Sequence, residues 1–233
     1  MYTTVLFDAD ETLLDFRRSE HSALTETFRQ NGLRDDEEFL RSYCEINDSL
    51  WERFNKGEIA KSEITDLRFT LLFEKYGIPL DGKDFNQKYL KNLSEYGYVL
   101  DGAKELCQKL YESGLKLYII TNGIGFVQKK RFAASGLAPF FDGVFISEEV
   151  GAAKPSKAYF DYVYANIDEK DKSKIIVVGD SLTADIKGGR EYGFVTCWYN
   201  AKKLPDEGKA HFAANNFYDL ERIVTNGKDR ATQ

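Results

Sequence analysis

The succession of apolar runs and helical patterns along this chain predicts an α/β protein: a parallel sheet wrapped by helices, with an all-helical domain inserted after the first strand. Three observations carry that prediction. Strands are expected at residues 2–7, a run of β-branched and aromatic residues, at 115–120 and 175–178, compact apolar runs without alternation as expected of strands buried on both faces, and at 194–198. Helical patterns at 101–113, 125–135, 156–166 and 182–192 flank and separate the later runs, and strand alternating with helix argues for parallel crossovers. The stretch 17–96 has no convincing strand.

Taken in order, the first run ends abruptly in Asp8-Ala9-Asp10-Glu11-Thr12, which sets carboxylates at the C-terminal end of a strand. In the insert, Phe39, Tyr43, Ile46, Leu50 and Phe54 recur at helical spacing, and Ile64, Leu67, Leu71 and Leu72 mark a further amphipathic helix. Asp35 with Glu38 reads as a capping box, and Gly57 and Gly77 as helix stops. The expected domains are a core of residues 1–16 and 97–233 and a helical bundle of 17–96. A bundle inserted there would hang over the sheet's catalytic edge as a hinged lid, with Gly97 and Gly102 absorbing the change in backbone angles. The run 115–120 leads into Thr121-Asn122-Gly123, and 175–178 into Gly179-Asp180-Ser181. The tail, 228–233, is expected to fray.

Composition narrows the function class. The 233 residues are 42% hydrophobic and 30% charged with both signs spread, the balance of a globular protein. A net charge of -6 provides no basic field for a nucleic-acid polymer, so a small anionic substrate in a local positive pocket is the better expectation. Cys44, Cys107 and Cys197 are odd in number and lack metal-site spacing, and read as buried thiols of a reducing compartment. Without a leader pattern or a membrane-length apolar run, the expected location is the cytoplasm, and the expected state is a monomer or homodimer.

Open parallel sheets bind ligands beyond the strands' C-terminal ends. There the chain would gather Asp8, Asp10, Asp180 and Asp185 with Lys154, which lies in Gly151-Ala152-Ala153-Lys154-Pro155, and the Thr121 hydroxyl. Packed carboxylates repel unless a cation neutralises them. Oxygen-only ligands favour Mg2+ over zinc. Lys154 and Thr121 suit phosphoryl oxygens, and the Asn122-Gly123 amides before a helix add anion-binding donors.

The motifs Asp8-x-Asp10-x-Thr12, Thr121, Lys154-Pro155 and Gly179-Asp180-Ser181 with Asp185, in this order, resemble the four motifs of the haloacid dehalogenase (HAD) superfamily. The resemblance implies a Rossmann-like core and a helical cap. It further implies that Asp8 attacks phosphorus and Asp10 acts as acid and then base. By the same resemblance the Asp8 carboxylate, the Asp10 carbonyl and Asp180 hold Mg2+, with Asp185 acting behind them or through water, while Thr121 and Lys154 bind the phosphoryl group. Glu11 departs from the glycine common at its position. The opening segment, with Glu-x-x-Ala-Leu after it, also resembles bacterial 5'-nucleotidases acting on pyrimidine and noncanonical nucleoside monophosphates.

Weaker features weigh against one another. Trp51, Phe54, Arg53, Lys56, Arg68 and Phe69 would line a substrate pocket or simply build the bundle, with Trp51 and Arg68 the leading candidates for substrate contact. His21 would serve a phosphosugar mutase, although an exposed helical histidine is the plainer reading. A phosphosugar or phosphoglycolate phosphatase is the nearest alternative. Dehalogenase chemistry is disfavoured by Asp10, and an inactive binding module by the intact carboxylate set.

Overall fold

A computed structural model describes residues 1–205 and 208–226; the expected frayed tail lies outside them. The chain forms two compact units, Met1–Phe16 with the chain from Tyr98 onward, and Arg17–Gly97. In chain order, β1 (Thr4–Phe7) leads to the helices α1 (Phe16–Gln30), α2 (Glu37–Asn55), α3 (Lys61–Tyr76) and α4 (Gly82–Leu93). There follow α5 (Ala103–Glu112), β2 (Lys116–Thr121), α6 (Gly125–Ala134), β3 (Gly143–Ile146), α7 (Ser147–Val150) and α8 (Lys157–Ala165). The chain then forms β4 (Ile175–Gly179), α9 (Gly188–Tyr192), β5 (Val195–Tyr199), β6 (Phe212–Ala214) and α10 (Phe217–Asn226).

Among the described residues six strands pair in parallel in the order β3-β2-β1-β4-β5-β6. The four expected strands correspond to β1, β2, β4 and β5. β3 and β6 escape the sequence because they are short, with sequences Gly-Val-Phe-Ile and Phe-Ala-Ala, and are only partly buried. Both faces of the sheet are covered, which is why the strands read as unbroken apolar runs. Val5, Phe7, Leu117 and Ile119 pack with α5 and α10 on one face. Leu6, Ile120 and Val177 face α8 on the other. The chain steps outward from β1 to β2 and β3 and then crosses back to β4 on the other side of β1, so the strand order reverses at β1 and a crevice opens there at the C-terminal ends of the central strands.

The helical unit has an aromatic core in which Phe28, Phe39, Tyr43, Phe69, Phe85 and Tyr89 are buried against one another. Gly77 closes α3 at φ 63 and Gly57 follows α2 at φ 76, both as helix stops. Two expectations need correction. The α2 cap is Asp36, which accepts from the Phe39 amide at 3.1 Å, because the helix begins at Glu37 and leaves Asp36, in extended backbone, as the residue before its first turn; Asp35 lies one residue too early. Leu71 is exposed, since Ile64, Arg68 and Leu72 form the inward line of α3.

A polar group sits inside this bundle. Glu20, 1% exposed, accepts from Asn47 Nδ2 at 2.9 Å and from Arg17 at 3.1 Å. Arg68 Nε donates to Asn86 Oδ1 at 2.6 Å, and its guanidinium lies 4.8 Å from the Tyr89 ring centroid. Burial pushes the Glu20 carboxyl from 4.5 up to about 7, against the pull of Arg17. The folded chain therefore holds a proton between those values that the unfolded chain releases, so this contribution to stability is lost as pH rises through about 7. Each pH unit of displacement is worth about 1.4 kcal/mol, so the loss is on the order of 3 kcal/mol. We expect denaturant titrations across that range to show Glu20→Gln flattening the decline; identical pH profiles for the two proteins would refute the assignment.

Candidate active site

The site grows from the ends of β1, β2 and β4. Asp8 follows β1 directly, with its amide donating to Val178 O of β4 at 2.8 Å. Glu11 adopts φ 58, the left-handed backbone that favours glycine, so the loop keeps its turn despite the substituted side chain. Asp180 follows β4, and its carbonyl accepts from Trp198 Nε1 at 2.9 Å. Asp185 reaches back over Gly179, where an added Cβ would lie 2.2 Å from the Asp185 carboxylate. Only glycine admits that approach, which gives the Gly-Asp motif its physical reason.

Lys154 is 3% exposed and its ammonium uses three donors: to Asp8 Oδ1 at 2.6 Å, Asp185 Oδ1 at 2.6 Å and Ile120 O at 2.8 Å. Its backbone is held by the Asn122 side chain, which donates to Lys154 O and accepts from Lys154 N, both at 2.9 Å. That side chain is thereby committed to the lysine's position, and the Gly123 amide, expected as an anion donor, is instead spent on Thr121 Oγ1. Thr121 Oγ1 accepts from the Gly123 amide at 3.0 Å and from Gln128 Nε2 at 2.9 Å.

The electrostatics fit a bound cation. Carboxylate oxygens of Asp8, Asp180 and Asp185 lie within 4.8 Å of one another. Burial lifts the Asp8 carboxyl well above its ordinary range; Lys154 opposes this, and Asp185 and Asp180 add to it. Burial, Asp185 and Glu11 raise Asp180 to about 7. Burial would lower the Lys154 ammonium, but Asp185 and Asp8 hold it well above the usual lysine value. One ammonium thus faces three carboxylates, and an all-oxygen donor set of this charge suits a hard divalent cation.

The family model for haloacid dehalogenase-like hydrolases matches residues 2–193. The chain is a haloacid dehalogenase-like hydrolase. It is 40% identical over 205 residues to the HAD-hydrolase YfnB of Bacillus subtilis, covering 88% of this chain and 87% of that one. The magnesium-bound structure of YfnB, which reveals interdomain movement, superposes with a TM-score of 0.91 at 38% identity, over 96% of this chain and 99% of the other. Pyrimidine 5'-nucleotidase PynA of Streptococcus pneumoniae is 39% identical over 221 residues, 94% of this chain and 93% of its own.

In this hydrolase Asp8, Thr121, Asn122, Lys154, Asp180 and Asp185, expected from sequence at the sheet's edge, gather through the contacts above, and Asp10 is tied to Thr121 through the Gln128 amide they share. The expected contacts of the insert lie within the helical unit. Arg68 is 2% exposed among Asn47, Asn86 and Tyr89, Trp51 packs edge-on to Phe54, and His21 is exposed on α1. Cys107 and Cys197 are buried, whereas Cys44 is only partly so. Among the described residues no helix is long and apolar enough to cross a membrane.

Sequence reasoning missed Gln128 and Arg131, which grip Asp10. Gln128 Nε2 donates to Asp10 Oδ2 and Arg131 Nη1 to Asp10 Oδ1, each at 2.6 Å. The sequence shows them only as long polar residues three apart on the short helix that follows Thr121, a spacing that puts them on one face without saying what that face meets.

Proposed function

We propose that this hydrolase is a Mg2+-dependent phosphatase that acts through an aspartyl-phosphate on Asp8, with nucleoside 5'-monophosphates as its substrates. The observation that carries the reaction is the buried Lys154 joined to Asp8 and Asp185 beside Asp180, with Asp10 two residues from the nucleophile. The substrate class rests on likeness to PynA over nearly the whole of both chains.

In the first step an Asp8 carboxylate oxygen bonds to phosphorus and the bond to the ester oxygen breaks, while Asp10 gives that oxygen a proton. In the second, Asp10 takes a proton from water, whose oxygen bonds to phosphorus and frees Asp8 and inorganic phosphate. Lys154 orients Asp8 and balances charge on the phosphoryl oxygens, and the Thr121 hydroxyl donates to them. Asp8, the Asp10 carbonyl and Asp180 would hold Mg2+, with Asp185 acting through water or through Lys154. When bound, the cation neutralises charge that builds on the phosphoryl oxygens.

The test is phosphate release from a panel of nucleoside monophosphates and sugar phosphates, phosphoglycolate included, with Mg2+. We expect kcat/KM to be greatest for a nucleoside monophosphate. A greatest value for a sugar phosphate or phosphoglycolate would keep the chemistry and overturn the substrate class. Interconversion of sugar phosphates without phosphate release would favour a mutase instead.

A further inference from the structure

We infer that Gln128 and Arg131 are positioning residues for phosphoryl transfer: together they fix the Asp10 carboxylate and leave the Thr121 hydroxyl hydrogen as a donor for a phosphoryl oxygen. This rests on the phosphatase reading given above.

Hydrogen-bond bookkeeping leads to it. An amide nitrogen carries two hydrogens, and those of Gln128 go to Asp10 Oδ2 at 2.6 Å and Thr121 Oγ1 at 2.9 Å. Arg131 Nη1 supplies the other Asp10 oxygen at 2.6 Å. A hydroxyl accepts at two positions and donates at one. Thr121 Oγ1 already accepts from Gln128 and from the Gly123 amide at 3.0 Å, so its own hydrogen is what it has left to offer. One buried amide therefore sets the polarity of a phosphoryl-binding hydroxyl and the orientation of the acid-base carboxylate.

The surroundings make this arrangement rigid. Gln128 and Arg131 are 3% and 1% exposed, whereas the Asp10 side chain is 28% exposed. Gln128 Oε1 lies 3.4 Å from Arg131 Nη1, and the reversed amide would set an oxygen against the Asp10 carboxylate. The guanidinium carbon of Arg131 stands 5.3 Å from the Phe16 ring centroid. At Gly123 an added Cβ would lie 2.2 Å from Gln128 Nε2, so the loop is built to admit this amide.

A structural ion pair and a positioning pair differ in how they respond to the leaving group. A nucleoside alkoxide needs a proton from Asp10, while p-nitrophenolate leaves without one. The ratio kcat/KM reports the transfer to Asp8 and excludes the later hydrolysis. We expect Arg131→Met to lower kcat/KM for a nucleoside monophosphate by roughly 100-fold, the lower end of what a general acid contributes, with a much smaller loss on p-nitrophenyl phosphate. Arg131→Lys, which keeps a donor, should recover part of that loss and stands in if the methionine variant fails to fold. Gln128→Leu, which also strips Thr121 Oγ1 of one of the two bonds it accepts, should lose rate on both esters and more on the nucleotide. Equal losses on the two esters for the Arg131 variants, or no loss, would overturn the inference while leaving the phosphatase reading intact. A wild-type protein inactive on both esters would remove the two together.

Discussion

Asp8→Asn is expected to abolish phosphate release, with a fall of roughly four orders of magnitude or more, the scale on which loss of a covalent nucleophile is felt. The amide matches the carboxylate in size but is too weak a nucleophile to attack phosphorus. The fold should survive the change. Asp8 is buried beside Asp180 and Asp185, and burial with those charges already disfavours its ionised form. Removing one charge from that group relieves repulsion, and Lys154 keeps Asp185 and Ile120 O as acceptors. We therefore expect the metal-free variant to melt no lower than the metal-free wild type. Steady-state rates with thermal melts check both halves, and a variant retaining a tenth or so of the activity would exclude Asp8 as nucleophile.

Chelating divalent cations is expected to bring activity to background, and adding Mg2+ to restore it. The same site should register without any substrate. A ligand present at about 100 times its Kd stabilises the folded state by about 2.7 kcal/mol, so Mg2+ should raise the Tm of the wild type. Asp180→Asn should lose that rise together with activity, because a neutral amide replaces a carboxylate that burial and Asp185 hold near 7 and that a cation would rescue. Activity persisting in excess chelator, or an Mg2+-induced rise in Tm undiminished in Asp180→Asn, would contradict the proposed ligand set.

Much of this architecture was legible because its physics is local. The strands beneath Asp8, Thr121 and Asp180 bury both faces, so apolar runs such as Val5-Leu6-Phe7 announce them without ambiguity. Carboxylates directly after such runs are expensive, and the expense is what marked the site. β3 and β6 stayed hidden because so few residues, most of them only partly buried, carry too little pattern to separate from loop. Asp36 rather than Asp35 caps α2 because the first turn starts at Glu37, and spacing alone does not choose between two adjacent aspartates.

Gln128 and Arg131 were missed for a different reason. Each looks like an ordinary polar residue on an amphipathic helix, and their meaning appears only once α6 turns them toward Asp10 across more than a hundred residues of sequence. Arg68 was noticed as a basic group within aromatic sequence. Its depth, on the inward line of α3, follows from the packing of Phe69 and Leu72 beside it, and periodicity did not choose between the faces.

The central claim is that the phosphoryl group passes through a covalent bond to Asp8, and rapid quenching of a single turnover tests it most directly. Enzyme in excess is mixed with a nucleoside monophosphate carrying a labelled phosphoryl group, stopped in acid, and its peptides are mapped. Label is expected to rise and decay on the protein before free phosphate is complete, sensitive to hydroxylamine and confined to the peptide holding Asp8. Phosphate appearing at the full rate with no protein-bound label at any time would contradict the claim.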